Sequence, residues 1–207
     1  MAVPLTLYYG PGTCAQAVLI ALYEAKAQFE LKVLDIAAGE QRGSAYLQLN
    51  PKGRVPALAT PRGVISEAPA LLLYVAQTHA DANLAPLDDP FGLAHMQEFN
   101  MYLASTVHVA HAHNKRANRW ADDETAQAAM RAKVGSNMRE CFGLIERHYL
   151  GEKPWVLGDH FSVADGYLFT VAGWLAGDGV DMQEFPRVRR HFERMEQRAS
   201  VQKLRAL

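Results

Sequence analysis

The sequence predicts two domains: an α/β N-terminal domain with the order βαβαββα, followed by an all-α helical bundle. Three observations predict it. A strand, turn, helix and strand follow one another within the first 35 residues; two short strands and a helix follow a dense turn signal at Asn50-Pro51-Lys52-Gly53; and every later segment has helical rather than alternating character. At 207 residues the chain is long for one core and short for two large ones. One moderate domain with one larger partner is the expected partition.

Residues 5–9, LTLYY, form an apolar and aromatic run that Gly10-Pro11-Gly12 ends, which is a strand and then a turn. From Cys14 to Ala27 the apolar residues Val18, Leu22 and Ala25 recur at spacings near 3.6 with no Gly or Pro between them, so a helix follows. FELKVLD, 29–35, alternates and reads as a half-buried strand. A connection of that length makes the two strands parallel. Residues 44–49 form a short helix, and Ala57–Thr60 and Gly63–Ile65 pair as a hairpin around Pro61-Arg62-Gly63. The helix Ala68–His79, with Leu71, Leu72 and Val75 facing inward, closes the domain.

DANLAPLDDP, 81–90, combines Asp, Asn and two prolines and marks the linker between a domain over 1–80 and one over 91–207. The segments 91–120, 123–150, 162–176 and 185–198 favour helix. Their composition supports a bundle.

Composition excludes several classes. Hydrophobic residues make up 49% and charged residues 21%, as in a globular protein, and the formal net charge of −1 gives no bulk attraction to nucleic acid or to an anionic membrane. The opening MAVPLTLYYGPG has no basic segment followed by a sustained apolar region, and no stretch reaches the roughly 18 apolar residues of a membrane span. A cytoplasmic location is the expectation. Two cysteines in unlike settings, Cys14 and Cys141, suit free thiols better than a disulfide framework.

Cys14 follows Pro11-Gly12-Thr13 at a helix start, where unpaired N–H groups and the positive end of the helix dipole favour an anionic sulfur, its own or another molecule's. A cysteine there also serves as a small apolar residue. YYGPGTCAQA resembles the first strand and catalytic loop of bacterial beta-class glutathione transferases, and Asn50-Pro51-Lys52-Gly53-Arg54-Val55-Pro56-Ala57-Leu58 is similar to that family's N-P-x-G-x-V-P-x-L segment.

The resemblance implies a thioredoxin-like N-terminal domain that binds glutathione as co-substrate, a helical domain supplying the pocket for a small hydrophobic electrophile, and a homodimer; the residues themselves give no reason to expect a metal. It implies a cis Val55-Pro56 bond that turns the Val55 main chain toward a peptide ligand, which pairs with it as an added strand. Arg54, within that segment, is a further candidate glutathione contact. Ile65-Ser66-Glu67-Ala68 is similar to the segment that receives the γ-glutamyl end, Glu67 facing the ligand's amino group and helix N–H groups its carboxylate. Glu67 is equally an acidic residue favoured at a helix start. Ala68 departs from the Ser common there and offers only its backbone N–H.

His108, in FNMYLASTVHVAHAH, matches a region whose histidine lies near the glutathione sulfur, and a solvent-facing helix histidine is the bland alternative. Aligning the histidines puts Met101 where the family has an asparagine, with Asn100 beside it. The basic residue usual after the second strand is absent until Arg42. Tyr9 is the rival to Cys14 for the thiol, since other classes use a first-strand tyrosine; packing is its other role. His108, His111 and His113 do not share one helix face and make a poor metal set. Cys141 belongs to the core with Met138, Phe142 and Ile145, and Trp120, Trp174 and Tyr167 are either pocket wall or core. Phe161-Ser162-Val163-Ala164-Asp165 resembles the family's N-capping box, with Gly166 where a hydrophobic staple would put an apolar residue.

The activity so implied is conjugation of the glutathione thiolate to an electrophilic carbon. Glutathione-dependent thiol-disulfide exchange through Cys14, and a non-catalytic binding or scaffold protein of the same fold, are the alternatives.

Overall fold

The computed structural model describes residues 5–207; residues 1–4, where the predicted N-terminal domain and the MAVPLTLYYGPG segment begin, lie outside the described residues. Four strands, β1 (Leu5–Tyr9), β2 (Phe29–Val33), β3 (Ala57–Thr60) and β4 (Gly63–Ser66), form one mixed sheet in the order β2-β1-β3-β4. β1 runs parallel to β2, with Leu7 opposite Leu31, and antiparallel to β3, with Leu7 opposite Leu58; β3 and β4 make the predicted hairpin. Helices α1 (Ala15–Glu24), α2 (Ser44–Leu49) and α3 (Ala68–Thr78) complete the βαβαββα order and the thioredoxin-like unit.

α1 is buried from Ala15 to Leu22 on nearly every side except at Gln16, because it packs against α3, α7 (Val163–Ala172) and α9 (Ala199–Arg205) as well as the sheet. It ends before the predicted Ala27, with Lys26 in a left-handed turn at φ 51°. Leu71, Leu72 and Val75 are inside, as their spacing requires.

The C-terminal half is helical: α4 (Pro90–Tyr102), α5 (His108–Arg116), α6 (Glu124–Leu144), α7, α8 (Pro186–Glu196) and α9, a helix that the sequence reading did not separate from the end of the chain. The predicted 91–120 segment is interrupted by a π-helical stretch, Leu103–Val107, between α4 and α5. Widening by one residue shifts the register between Asn100 and His108. Asn100 is therefore fully buried, and neither of its amide atoms has a hydrogen-bond partner among the described residues, whereas Met101 is half-exposed.

The capping box at α7 forms. Asp165 Oδ2 accepts from the Ser162 amide at 2.8 Å, and Oδ1 accepts from the Val156 amide and faces His191 Nε2, both at 2.9 Å. Gly166 has a packing purpose: a Cβ there would lie 3.3 Å from Ile20 Cγ2, so the glycine lets α7 approach α1. Arg198 grips both oxygens of Glu24 at 2.7 Å and ties the start of α9 to the end of α1. Cys141 lies in the core, as predicted. No described helix is long and apolar enough to cross a membrane.

Candidate functional site

A cavity of about 210 Å³ opens between the two halves of the molecule. On the sheet side its wall is built from three loops. Gly12 (φ 71°) and Thr13 lead into Cys14, which occupies the N-cap of α1; Thr13 Oγ1 donates to the Gly10 carbonyl at 2.7 Å and holds the turn closed. The Asn50-Pro51-Lys52-Gly53 turn is shaped by Asn50, whose Nδ2 donates to the Arg54 carbonyl at 2.7 Å, where the Tyr46 hydroxyl also donates. Val55 and Pro56 follow, joined by a cis peptide bond as predicted. Glu67 caps α3 with φ 75° and ψ 120°, a conformation rare for a residue with a Cβ and characteristic of functional positions.

Cys14, Val55, Pro56, Glu67 and Ala68 thus line one wall, with Arg54 at its rim. The opposite wall comes from the helical half and includes His108, Tyr167, Trp174 and Trp120. Tyr9 does not line the cavity: it is 3% exposed and faces the packed side of β1, near Gln16 and Tyr23.

Electrostatics correct one expectation. The helix start favours an anionic sulfur, but burial pushes the Cys14 thiol up to about 12 and outweighs the lowering from Arg116. Its Sγ is 3.7 Å from the Val55 carbonyl, toward which the S–H points as a weak donor. His108 is half-buried against Trp174, with ring centroids 4.9 Å apart, so the solvent-facing alternative does not hold. Burial first, then His111 and the nearby arginines, hold its imidazole down at about 4, and it is neutral at pH 7.

Several pairings around the cavity are not signalled by the local sequence. Lys52 Nζ reaches Glu67 Oε1 at 2.7 Å and the Ser66 hydroxyl at 3.0 Å, a pairing between the turn and α3 that no spacing rule signals. His111 Nδ1 is 2.7 Å from Oδ2 of the buried Asp178, whose other oxygen accepts from Asn114 at 2.9 Å, and the ring stacks on Trp174 at 4.4 Å. That pairing fixes a cavity-lining imidazole by a residue from a distant turn. Tyr167, weighed only as wall or core, lies close enough to Cys14 and Glu67 for both to raise its phenol, after burial, well above the ordinary tyrosine range. Pro69 at the second position of α3 supplies no N–H, so the helix start offers the Ala68 amide without its immediate neighbour. Among the described residues no group of three or more His, Cys, Asp or Glu side chains is placed to hold a metal ion.

The arrangement offers an extended main-chain edge at Val55, a carboxylate and a helix start at Glu67-Ala68, and a second helix start at Cys14. It suits a small peptide carrying an amino group, a carboxylate and a thiol.

Comparison with known proteins agrees. Residues 3–77 match the model of the glutathione S-transferase N-terminal domain, and residues 124–194 that of the glutathione S-transferase C-terminal domain. Glutathione S-transferase GstA of Escherichia coli O157:H7 is 28% identical over 201 residues, 96% of each chain. Among solved structures, a glutathione transferase homologue from Sulfitobacter with bound glutathione superimposes with a TM-score of 0.95 at 44% identity, covering 99% of this chain and 98% of that one. A bacterial beta-class glutathione S-transferase from Sphingomonas chungbukensis gives 0.84 at 33% identity, covering 97% and 98%.

Proposed function

The chain belongs to the glutathione S-transferase family, and on that premise we propose that it binds glutathione in this cavity and transfers its thiolate to an electrophilic carbon. One observation carries the reading: Cys14 at the start of α1, the Val55 main chain, and Glu67 at the start of α3 share one wall of a single cavity. Those are the three recognition elements a γ-glutamyl tripeptide requires.

In this reading the cysteinyl part of glutathione pairs with the Val55 backbone as an added strand. Its amino group replaces the Lys52 ammonium beside Glu67, and its γ-glutamyl carboxylate takes the Ala68 N–H and the Ser66 hydroxyl. The sulfur reaches the start of α1. There the helix dipole stabilises the thiolate, while the Cys14 S–H and the Tyr167 O–H serve as hydrogen-bond donors. A proton leaves the glutathione thiol for solvent, the sulfur forms a bond to the electrophilic carbon, and the leaving group departs with the electron pair of its own bond.

The high thiol pKa of Cys14 supports this donor role over that of an attacking nucleophile in disulfide exchange. The helical half, beyond the linker at 81–90, would supply the electrophile pocket, and a homodimer belongs to the same proposal. Calorimetric titration with millimolar glutathione tests the binding, and conjugation of 1-chloro-2,4-dinitrobenzene, followed by absorbance, tests the transfer. Heat of binding with turnover is the expected result. Absence of heat with folded protein overturns the reading in favour of a scaffold role, and sedimentation equilibrium at one-chain mass removes the dimer.

A further inference from the structure

Four cations line the cavity, Lys52, Arg54, Arg116 and Arg119, against the single carboxylate of Glu67. Lys52 is paired with that carboxylate. The other three guanidinium groups form no ion pair and no side-chain hydrogen bond among the described residues, although arginines elsewhere in the chain, such as Arg139, Arg198 and Arg205, do find carboxylates. They are also near one another, all lining the same cavity, and after burial the charges of Arg116, Arg54 and Arg42 disfavour the charge on Arg119. Holding like charges together around a cavity costs free energy, and a bound anion recovers it.

Resting on the reading above, glutathione accounts for part of this charge. Its amino end is matched by Glu67 and its γ-glutamyl carboxylate by the start of α3, so its glycyl carboxylate requires one further cation, for which Arg54 stands on the same side of the cavity as Val55. Arg116 and Arg119 remain. Both belong to the helical half, one ending α5 and the other in the turn Ala117–Arg119, and the next residue is Trp120, a cavity-lining indole that is 45% exposed. Its ring packs edge-on against His113 at 4.4 Å, which holds it in place.

We propose that Arg116, Arg119 and Trp120 form an anion subsite for the second substrate, and that the protein selects electrophiles carrying a carboxylate on a planar, aromatic or conjugated body. Two guanidinium groups match a carboxylate through paired, charge-assisted hydrogen bonds, and the indole face covers the body behind it. This replaces the purely hydrophobic electrophile expected from the sequence with an amphipathic acid.

The test compares 4-chloro-3,5-dinitrobenzoate with its neutral methyl ester, which keeps the same ring and nitro groups without the charge. In the wild type, kcat/KM favours the benzoate. In Arg116→Gln/Arg119→Gln the benzoate-to-neutral ratio falls more than tenfold, and Arg116→Lys/Arg119→Lys restores part of it. An unchanged ratio overturns the proposal. So does a glutathione dissociation constant that rises tenfold in the glutamine variant, since that assigns both cations to the tripeptide. If the wild type binds glutathione but conjugates neither compound, the transferase reading fails. Quenching of tryptophan fluorescence by 3,5-dinitrobenzoate then decides the subsite separately: saturable quenching lost in the glutamine variant upholds it, and no saturable quenching in the wild type ends it. Circular dichroism melting shows whether each variant is folded.

Discussion

The Trp174 indole N–H donates to the Gly12 carbonyl at 3.1 Å, joining the loop that precedes Cys14 to the helical half across 162 residues of sequence. The same indole stacks on His111 and meets His108, so one side chain positions both the turn that leads into Cys14 and two imidazoles of the helical half.

Trp174→Phe keeps a ring to stack and removes the hydrogen bond. The expected result is a stability loss of about 1 kcal/mol by chemical denaturation. Amide exchange at Thr13 and Cys14 should accelerate at least tenfold in the folded protein. Unchanged exchange would show that the loop holds itself.

His108 sets a pH dependence. Its folded pKa, about 4, lies below the ordinary histidine value near 6.5, so between those limits the unfolded chain binds more protons than the folded one. Stability contributed by the neutral ring is full above about pH 6.5 and declines as pH falls toward 4. Denaturation midpoints of wild type and His108→Gln measured across that window should converge at low pH. Parallel curves would place the ring in a solvent-like setting.

Cys14 should be a poor nucleophile. With a thiol pKa of about 12, its thiolate fraction at pH 7 is on the order of one in 10⁵. Iodoacetamide labelling of the folded protein, located by peptide mass, should be more than a hundredfold slower than in the denatured chain. Fast, site-selective labelling of Cys14 would revive disulfide exchange as its chemistry.

Two substitutions in α7 probe what positions the cavity's helical wall. Asp165→Ala strands the Ser162 and Val156 amides inside the core and should cost about 3–5 kcal/mol. Gly166→Val forces two methyls into Ile20 and should cost about 1–3 kcal/mol. Denaturant midpoints read both. A neutral Gly166→Val would mean that α1 and α7 have slack between them.

Much of the site was legible because its signals are local. The Gly10-Pro11-Gly12 turn, the Asn50-centred loop and the Ser162–Asp165 box are written in consecutive residues, and each appears where its chemistry places it. Glu67 was found by resemblance to a segment, though its left-handed backbone was not. Arg54 was named as a candidate contact, but Lys52, Asp178, Arg116 and Arg119 were not found, since each acquires meaning from a residue that the fold brings to it. The π-helical register shift likewise hid which of Asn100 and Met101 faces inward.

By itself the sequence determined the order of the N-terminal elements and the two-part architecture, and its resemblance to a known family pointed to the wall made of Cys14, Val55, Pro56, Glu67 and Ala68. Turn chemistry, caps and periodicity act over a few residues and need no partner from afar. The tertiary structure decided the chemistry of that wall. Burial against the helical half reversed the effect that the helix start alone would have on Cys14, and the closure of α5 and its following turn over the cavity gathered Arg116 and Arg119 there. Desolvation and charge clustering depend on every neighbour in space, and a linear chain specifies those neighbours only once it has folded.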